Sequence, residues 1–476
     1  MKKIIHTCTN QTGRNYYFLY FFILISISFI VGCAAQYPLN IKTEIAGKSF
    51  IRETASKNKD SDLILILAFS GGGTRAASMA YGTLEALKQV EIPSGNVSPN
   101  NGQKQNTFLN NVSIITAVSG GSFTAAYYGL HGEGIFKDFR ERCLLKDMQG
   151  DLLYKLINPF NWPRLGSPRF GRSDLAQEYY DKILFNGATL ADMTADDRPS
   201  IVIMATDSLG GLSFPFIPDA FTWICSDFNR FPVSRAVTAS SAVPGIFSPI
   251  VLINYTNNCR KEVPAWIKDA LKKPDQSSRK YHMAVSANSY LNQNKKPFLY
   301  LIDGGITDNL GLRTIIDIVT LGGLKDILAK SERKEIRRVA FIIVDAETQT
   351  EPAWGILGEI PGTGTVLDIA STIMINKYNF ETIDLLRRSV RDWQTELALN
   401  TNPVDFYVIH MTFKSLADKK EQEYFQNIPT SLSLSADQVD KLRNVAARLI
   451  YSSPEFQKLV RDTGGKIIKP TANNIP

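Results

Sequence analysis

Between residues 63 and 69 the chain reads Leu-Ile-Leu-Ile-Leu-Ala-Phe, an unbroken apolar run too short for a buried helix. A half-exposed strand would alternate apolar and polar residues, so this run predicts a strand covered on both faces. Similar segments recur at 112–118, 200–205, 298–302 and 339–344. After the first run a short turn leads into Ala77, Ala80, Leu84 and Leu87, which fall at helical spacing. After the second, a tight turn leads into a helix of small residues expected over 122–130. Strands alternating with helices predict an α/β fold, with a mostly parallel central sheet between helical layers. The Asn-, Pro- and Gly-rich stretch 93–106 reads as a loop, and the polar stretch 254–294 as an insertion that loops out from the core. A second polar stretch, 349–365, precedes a mostly helical C-terminal region.

The N-terminus has a different pattern. Lys2, Lys3 and Arg14 are followed by no charge at all from Tyr16 to Gly32, as in an export signal. The run closes on Ile30-Val31-Gly32-Cys33, similar to a bacterial lipobox, in which the cysteine becomes the acylated first residue of the mature protein. Two or three acyl chains, at about 0.8 kcal/mol per buried CH₂, would anchor the body stably. An uncleaved signal anchor is the alternative, and either reading exports and tethers the body. Ala34 follows the cysteine rather than the Asp that favours inner-membrane retention, which points to the outer membrane of a two-membrane cell envelope. The expected organisation is thus a leader (1–32), a tether (33–60), a core (61–348), a helical region packed on it (349–468) and a disordered tail (469–476).

Composition removes several function classes. Of 476 residues, 44% are hydrophobic and 21% charged, which excludes wholesale disorder and a multi-span membrane protein. Net charge is +7 and falls further once the basic leader is removed, too mild to imply nucleic-acid binding. With Cys8 in the leader and Cys33 acylated, Cys143, Cys225 and Cys259 remain, without Cys-x-x-Cys spacing. A Cys225–Cys259 bridge suits an exported protein, but sequence leaves it open. There is no His-Glu-x-x-His, EF-hand loop or Cys/His cluster, so neither a metal nor a cofactor is expected.

Three segments carry chemistry, each at the end of an expected strand. Ala117-Val118-Ser119-Gly120-Gly121 has the form of a nucleophile elbow, with Ala117 where the usual pattern has Gly. Ser122 suits an N-cap better than attack chemistry. Ser70-Gly71-Gly72-Gly73-Thr74-Arg75 can present backbone N–H donors at a helix N-terminus to a developing oxyanion, with Arg75 steadying the loop or meeting an anionic headgroup. A nucleotide phosphate cradle is the rival reading, weakened by the lack of a following Gly-Lys-Ser/Thr. Leu301-Ile302-Asp303-Gly304-Gly305 places a carboxylate at a strand end, where a turn role is the plainer alternative.

In their order along the chain, glycine loop, then serine elbow, then Asp-Gly-Gly, the three segments resemble the patatin-like phospholipase family. Ile203-Met204-Ala205-Thr206-Asp207 and the run from Ala236 to Phe247, containing Ala239-Ser240-Ser241-Ala242-Val243-Pro244, fit the same resemblance. It implies a three-layer α/β/α fold and a serine acyl hydrolase working through an acyl-enzyme. Ser119 would be the nucleophile, Asp303 its base, and the amides of Gly71, Gly72 and Gly73 the oxyanion hole. Ser70 stands where the family often has Asp. The implied substrate is a phospholipid, lysophospholipid or other acyl-ester lipid. The competing class is a non-catalytic lipoprotein that keeps the fold to bind or scaffold lipid, and sequence does not say whether an activator protein takes part.

Overall fold

The computed structural model describes residues 40–44, 50, 54, 61–93, 106–259, 263–322, 336–348, 362–398 and 403–468. The leader, Cys33, most of the tether and the 469–476 tail lie outside the described residues. The strands are β1 (Leu63–Phe69), β2 (Val90–Glu91), β3 (Val112–Val118), β4 (Ser200–Asp207), β5 (Leu212–Pro215), β6 (Ile250–Ile253), β7 (Phe298–Asp303), β8 (Arg338–Asp345), β9 (Asp405–Thr412) and β10 (Lys466–Ile467). The longer helices are α1 (Gly73–Lys88), α2 (Gly120–His131), α3 (Met148–Ile157), α4 (Arg172–Tyr180), α5 (Val233–Ser240), α6 (Ala265–Lys272), α7 (Arg279–Tyr290), α8 (Arg313–Gly322), α9 (Thr363–Ala398), α10 (Lys419–Gln426), α11 (Ala436–Ser452) and α12 (Pro454–Asp462).

One large sheet organises them, in the order β6-β7-β4-β3-β1-β8-β9, with β5 paired to β4. The five strands from β4 to β9 run parallel, while β7 is antiparallel to β4 and to β6. Every residue of β3 and β4 is buried, so both faces of the sheet are covered, as expected of apolar runs without alternation. The chain is therefore an α/β fold with a mostly parallel central sheet.

Three local expectations change. The helix after β3 starts at Gly120, two residues earlier than its pattern suggests. Ser122 is therefore not its cap: its buried hydroxyl donates to the Ser119 carbonyl (2.6 Å). The polar stretch 254–294 does not simply loop out. It folds as α6 and α7 around a small core of Ile267, Ala284 and Ala287. The C-terminal region is mostly helical but also supplies β9, an outer strand of the main sheet. Its Asp405, His410 and Thr412 break the apolar run that marked the other strands.

Two pairings fix the register at the C-terminal edge of the parallel strands. Val118 pairs with Met204, and Asp303 pairs with Ala205. Because β7 arrives antiparallel and overlaps only the last residues of β4, its C-terminal end stops level with the C-terminal end of β3.

Cys225 and Cys259 form a disulfide across a sequence separation of 34, with Cα atoms 6.2 Å apart, and Cys143 is a buried free thiol. Closing a loop of that length stabilises the fold by roughly 3–4 kcal/mol in the chain-entropy description. Cys225→Ser/Cys259→Ser is expected to lose about that much stability in non-reducing denaturant titration. An unchanged midpoint would mean that the bridge is absent or contributes nothing.

Candidate active site

The site begins with a backbone turn. Ser119, between β3 and α2, has φ 49 and ψ −120, a region that non-glycine residues avoid at a cost of about 1–3 kcal/mol. This turn lifts the side chain above the C-terminal edge of the sheet. There the Ser119 hydroxyl donates to Asp303 Oδ2 at 2.8 Å, both residues being almost fully buried. Two strand spacings separate β3 from β7, about 10 Å, and the two side chains close that gap from the same level of the sheet.

The other Asp303 oxygen, Oδ1, accepts the N–H of Gly305 at 2.8 Å. Burial pushes the carboxyl pKa up to about 6, while the bonds from Gly305 and Ser119 pull the other way. The result is a carboxylate more basic than usual that is held by two donors. That suits proton abstraction near neutral pH.

Ser240, at the end of α5, braces both partners. Its Oγ accepts the Ser119 N–H (2.8 Å) and donates to the Met204 carbonyl (2.6 Å). Its carbonyl accepts the Gly304 N–H (3.1 Å), and the carbonyl of Ala242 accepts that of Asp303 (2.9 Å). The sequence marks Ser240 only as part of a family-like segment. Nothing in residue type alone predicts that it joins Ser119 to the Asp303 strand end. Losing its hydroxyl would leave the buried Ser119 amide unpaired, at about 1–3 kcal/mol.

The glycine loop lies directly on this elbow. A Cβ at Gly120 would sit 2.0 Å from the Gly73 carbonyl oxygen, so backbone meets backbone where no side chain fits, and a Cβ at Gly71 would meet the Asn309 side chain at 2.5 Å and Ser119 Cβ at 3.2 Å. The three expected donors are not equivalent. The Gly71 N–H is committed to the Asn309 carbonyl (3.1 Å), whereas those of Gly72 and Gly73 have no acceptor among the described residues. Both sit at the start of α1, whose first turn carries no acidic residue, so the positive end of the helix dipole is left uncompensated. Of the three amides expected to face an oxyanion, two are therefore open and that of Gly71 is not.

Arg75 supports the loop and does not reach a headgroup. It is buried, donating to the carbonyls of Ala346 (2.9 Å) and Ile428 (2.5 Å) and to Thr430 Oγ1 (3.1 Å). Burial lowers its pKa to about 10, partly offset by Asp345. Ser70 has a similar task, accepting the Ala346 N–H at 2.9 Å.

Among the described residues no histidine hydrogen-bonds to the Ser119 hydroxyl or to Asp303. His410 Nε2 contacts Asp345 Oδ2 at 3.0 Å. It pairs along the sheet with Ile343, which is level with Ala68 and Thr116, so it lies three strands from β3, about 14 Å. A polar chain links it to the glycine loop. Asn379 donates to Asp345 (3.3 Å), Asn309 donates to Asn379 (3.4 Å), and the Asn309 carbonyl holds Gly71. His131 ends α2 against Tyr127, with ring centroids 4.3 Å apart. Asp308 turns the chain, accepting the N–H groups of Leu312 (3.2 Å) and Arg313 (2.8 Å) at the start of α8. Asn309 does more than turn the chain, since it holds Gly71. Among the described residues no group of three or more His, Cys, Asp or Glu could hold a metal, and no helix is long and apolar enough to cross a membrane.

Comparison with known proteins gives the site its setting. No curated protein matches the chain. Among solved structures it is similar to human GIVD cytosolic phospholipase A2, with 11% identity and a TM-score of 0.43 over 87% of this chain and 64% of that one. The same human enzyme in complex with methyl gamma-linolenyl fluorophosphonate and terbium chloride gives 12% identity and a TM-score of 0.36, over 87% and 62%. The chain thus spans less than two thirds of the length of those structures. Residues 67–316, more than half of the chain, match the patatin-like phospholipase family and enclose the glycine loop, the elbow and Asp303. The chain belongs to the patatin-like phospholipase family, a family of lipid acyl hydrolases.

Proposed function

We propose that this protein is a membrane-tethered serine hydrolase that cleaves acyl esters of lipids through a Ser119–Asp303 dyad. The observation that carries the reading is the 2.8 Å hydrogen bond from the Ser119 hydroxyl to Asp303, at a strained elbow against a glycine loop with two open amides. Asp303 takes the Ser119 proton as Oγ attacks the ester carbonyl carbon. The carbonyl oxygen becomes an oxyanion that accepts from the N–H groups of Gly72 and Gly73. Collapse breaks the bond to the leaving alcohol, which takes the proton back from Asp303. The acyl chain stays on Ser119. Water then repeats the sequence, Asp303 accepting its proton, and the fatty acid leaves. No metal or cofactor enters any step.

Tethering rests on the lipobox. Acylated Cys33 would hold the body at the cell envelope, the outer membrane being favoured by Ala34. The substrate is then an acyl-ester lipid of the membrane beside the anchor.

Ser119→Ala and Asp303→Asn should each lower kcat by roughly 10⁴-fold or more in a folded protein. His410→Ala and His131→Ala should stay within about tenfold of wild type. A folded, inactive His410→Ala with an active Asp303→Asn would replace the dyad by a histidine triad.

Asp303 must be ionised to accept the proton. With its pKa raised to about 6, kcat/KM is expected to fall below pH 6 and reach a plateau above it. An acid limb centred near 4, the range of an ordinary carboxyl, would mean that a different group controls activity.

Cys33→Ser is expected to abolish incorporation of a radiolabelled fatty acid and to release the protein from the membrane fraction or stall it as a precursor. Unchanged labelling would show that Cys33 is not the acylation site.

A further inference from the structure

Between α2 and α4 the chain leaves an apolar surface uncovered. Leu153, Tyr154 and Ile157 lie on one side of α3, opposite buried Met148, and Phe160 and Trp162 follow. Fractional exposure of these five runs from 50% at Trp162 to 88% at Phe160. The segment is a built knob rather than a loose loop. Asn158 Oδ1 accepts the Phe160 N–H (3.1 Å), Asn161 donates to the Lys155 carbonyl (2.7 Å), and the Trp162 indole donates to the Leu156 carbonyl (3.3 Å). Soluble surfaces rarely hold several aromatic and aliphatic side chains out to water in a fixed geometry unless something covers them.

Both ends of this segment attach beside the active site. At its start, Gln149 Oε1 accepts the N–H of Leu432, and the neighbouring Ser431 carbonyl holds the Thr74 N–H (2.8 Å) at the head of α1. Beyond it, the Ser173 N–H donates to Ser248 Oγ (3.1 Å), and a buried Asp174–Arg235 ion pair (2.9 Å) ties α4 to α5, which ends at Ser240. Ile246, in the loop following α5, is exposed as well. Arg169 and Arg172 are exposed and have no acidic partner among the described residues. Exposed aromatic rings followed in the chain by exposed arginines match the boundary between acyl chains and anionic headgroups.

We propose that residues 153–162, with Arg169 and Arg172, form a docking surface that seats the protein on an anionic lipid–water interface, with the Ser119 site facing the lipid. The proposal rests on the lipid acyl hydrolase reading and adds the surface through which substrate is reached, separate from the anchor at Cys33.

The test uses the full chain with vesicles of phosphatidylcholine, alone or mixed with phosphatidylglycerol, with or without bromine on the acyl chains. Comparing wild type with Trp162→Phe isolates the Trp162 fluorescence, which is expected to be quenched by the brominated lipids. Phe160→Ser/Trp162→Ser should lower hydrolysis of vesicle lipid by about tenfold or more and leave a soluble short-chain ester within about twofold. Arg169→Glu/Arg172→Glu should weaken action on the mixed vesicles more than on phosphatidylcholine alone. Equal quenching of wild type and Trp162→Phe, with vesicle hydrolysis unchanged by the double serine variant, would overturn the proposal. So would a dimer in solution that the serine substitutions dissociate, because the surface would then cover a second copy. If neither ester nor vesicle lipid is cleaved while Trp162 is still quenched, the hydrolase reading fails and the docking surface stands.

Discussion

Parallel pairing of β1 with β3 sets two strand-to-helix turns side by side, and the site depends on how closely those turns approach. Phe69 is level with Ala117, so the glycine loop and the Ser119 elbow leave the sheet at the same height. Their backbones then touch, with room for no Cβ at Gly71 or Gly120. This contact lets main-chain amides reach the neighbourhood of the serine without an intervening side chain. It also gives the strained turn at Ser119 support from outside, since the loop, α5 and β7 all press on it.

The third contributor enters from the opposite direction. An antiparallel β7 would normally carry its C-terminus away from the edge where parallel strands end. Here it overlaps β4 only from Ala205 to Asp207, so its last residue, Asp303, stops where the parallel strands stop. Burial in that position raises the affinity of the carboxyl for a proton. The two hydrogen bonds it accepts keep it oriented. Ser240 then couples the two halves, binding the Ser119 amide through its hydroxyl and the chain beside Asp303 through its carbonyl.

Polar burial around the site is divided between support and chemistry. Arg75, Ser70, Asn309, Asn379, Asp345 and His410 hold the glycine loop to the ends of β8 and β9 and to α9. Each is satisfied by a neighbour, as buried polar groups must be. The N–H groups of Gly72 and Gly73 have no acceptor among the described residues, and they lie at the positive end of α1.

Much of this was legible in the sequence. Continuous apolar runs announced buried strands because a strand covered on both faces has no polar side to show. Ser-Gly-Gly and Asp-Gly-Gly after such runs announced tight turns at strand ends because only glycine tolerates backbone contact there. Sequence determined less where the decision was non-local. It could not tell that β7 runs antiparallel, that β9 completes the sheet despite Asp405 and His410, or that α6 and α7 fold on their own small core. Nor could it tell that Gly71's amide is taken by Asn309, that Arg75 points inward, or that Ser240 joins the two catalytic candidates. Residue type and spacing carry local conformation and burial. Which hydrogen bond satisfies which group depends on residues 121 and 184 positions apart in the chain coming together, and only the packed structure decides that.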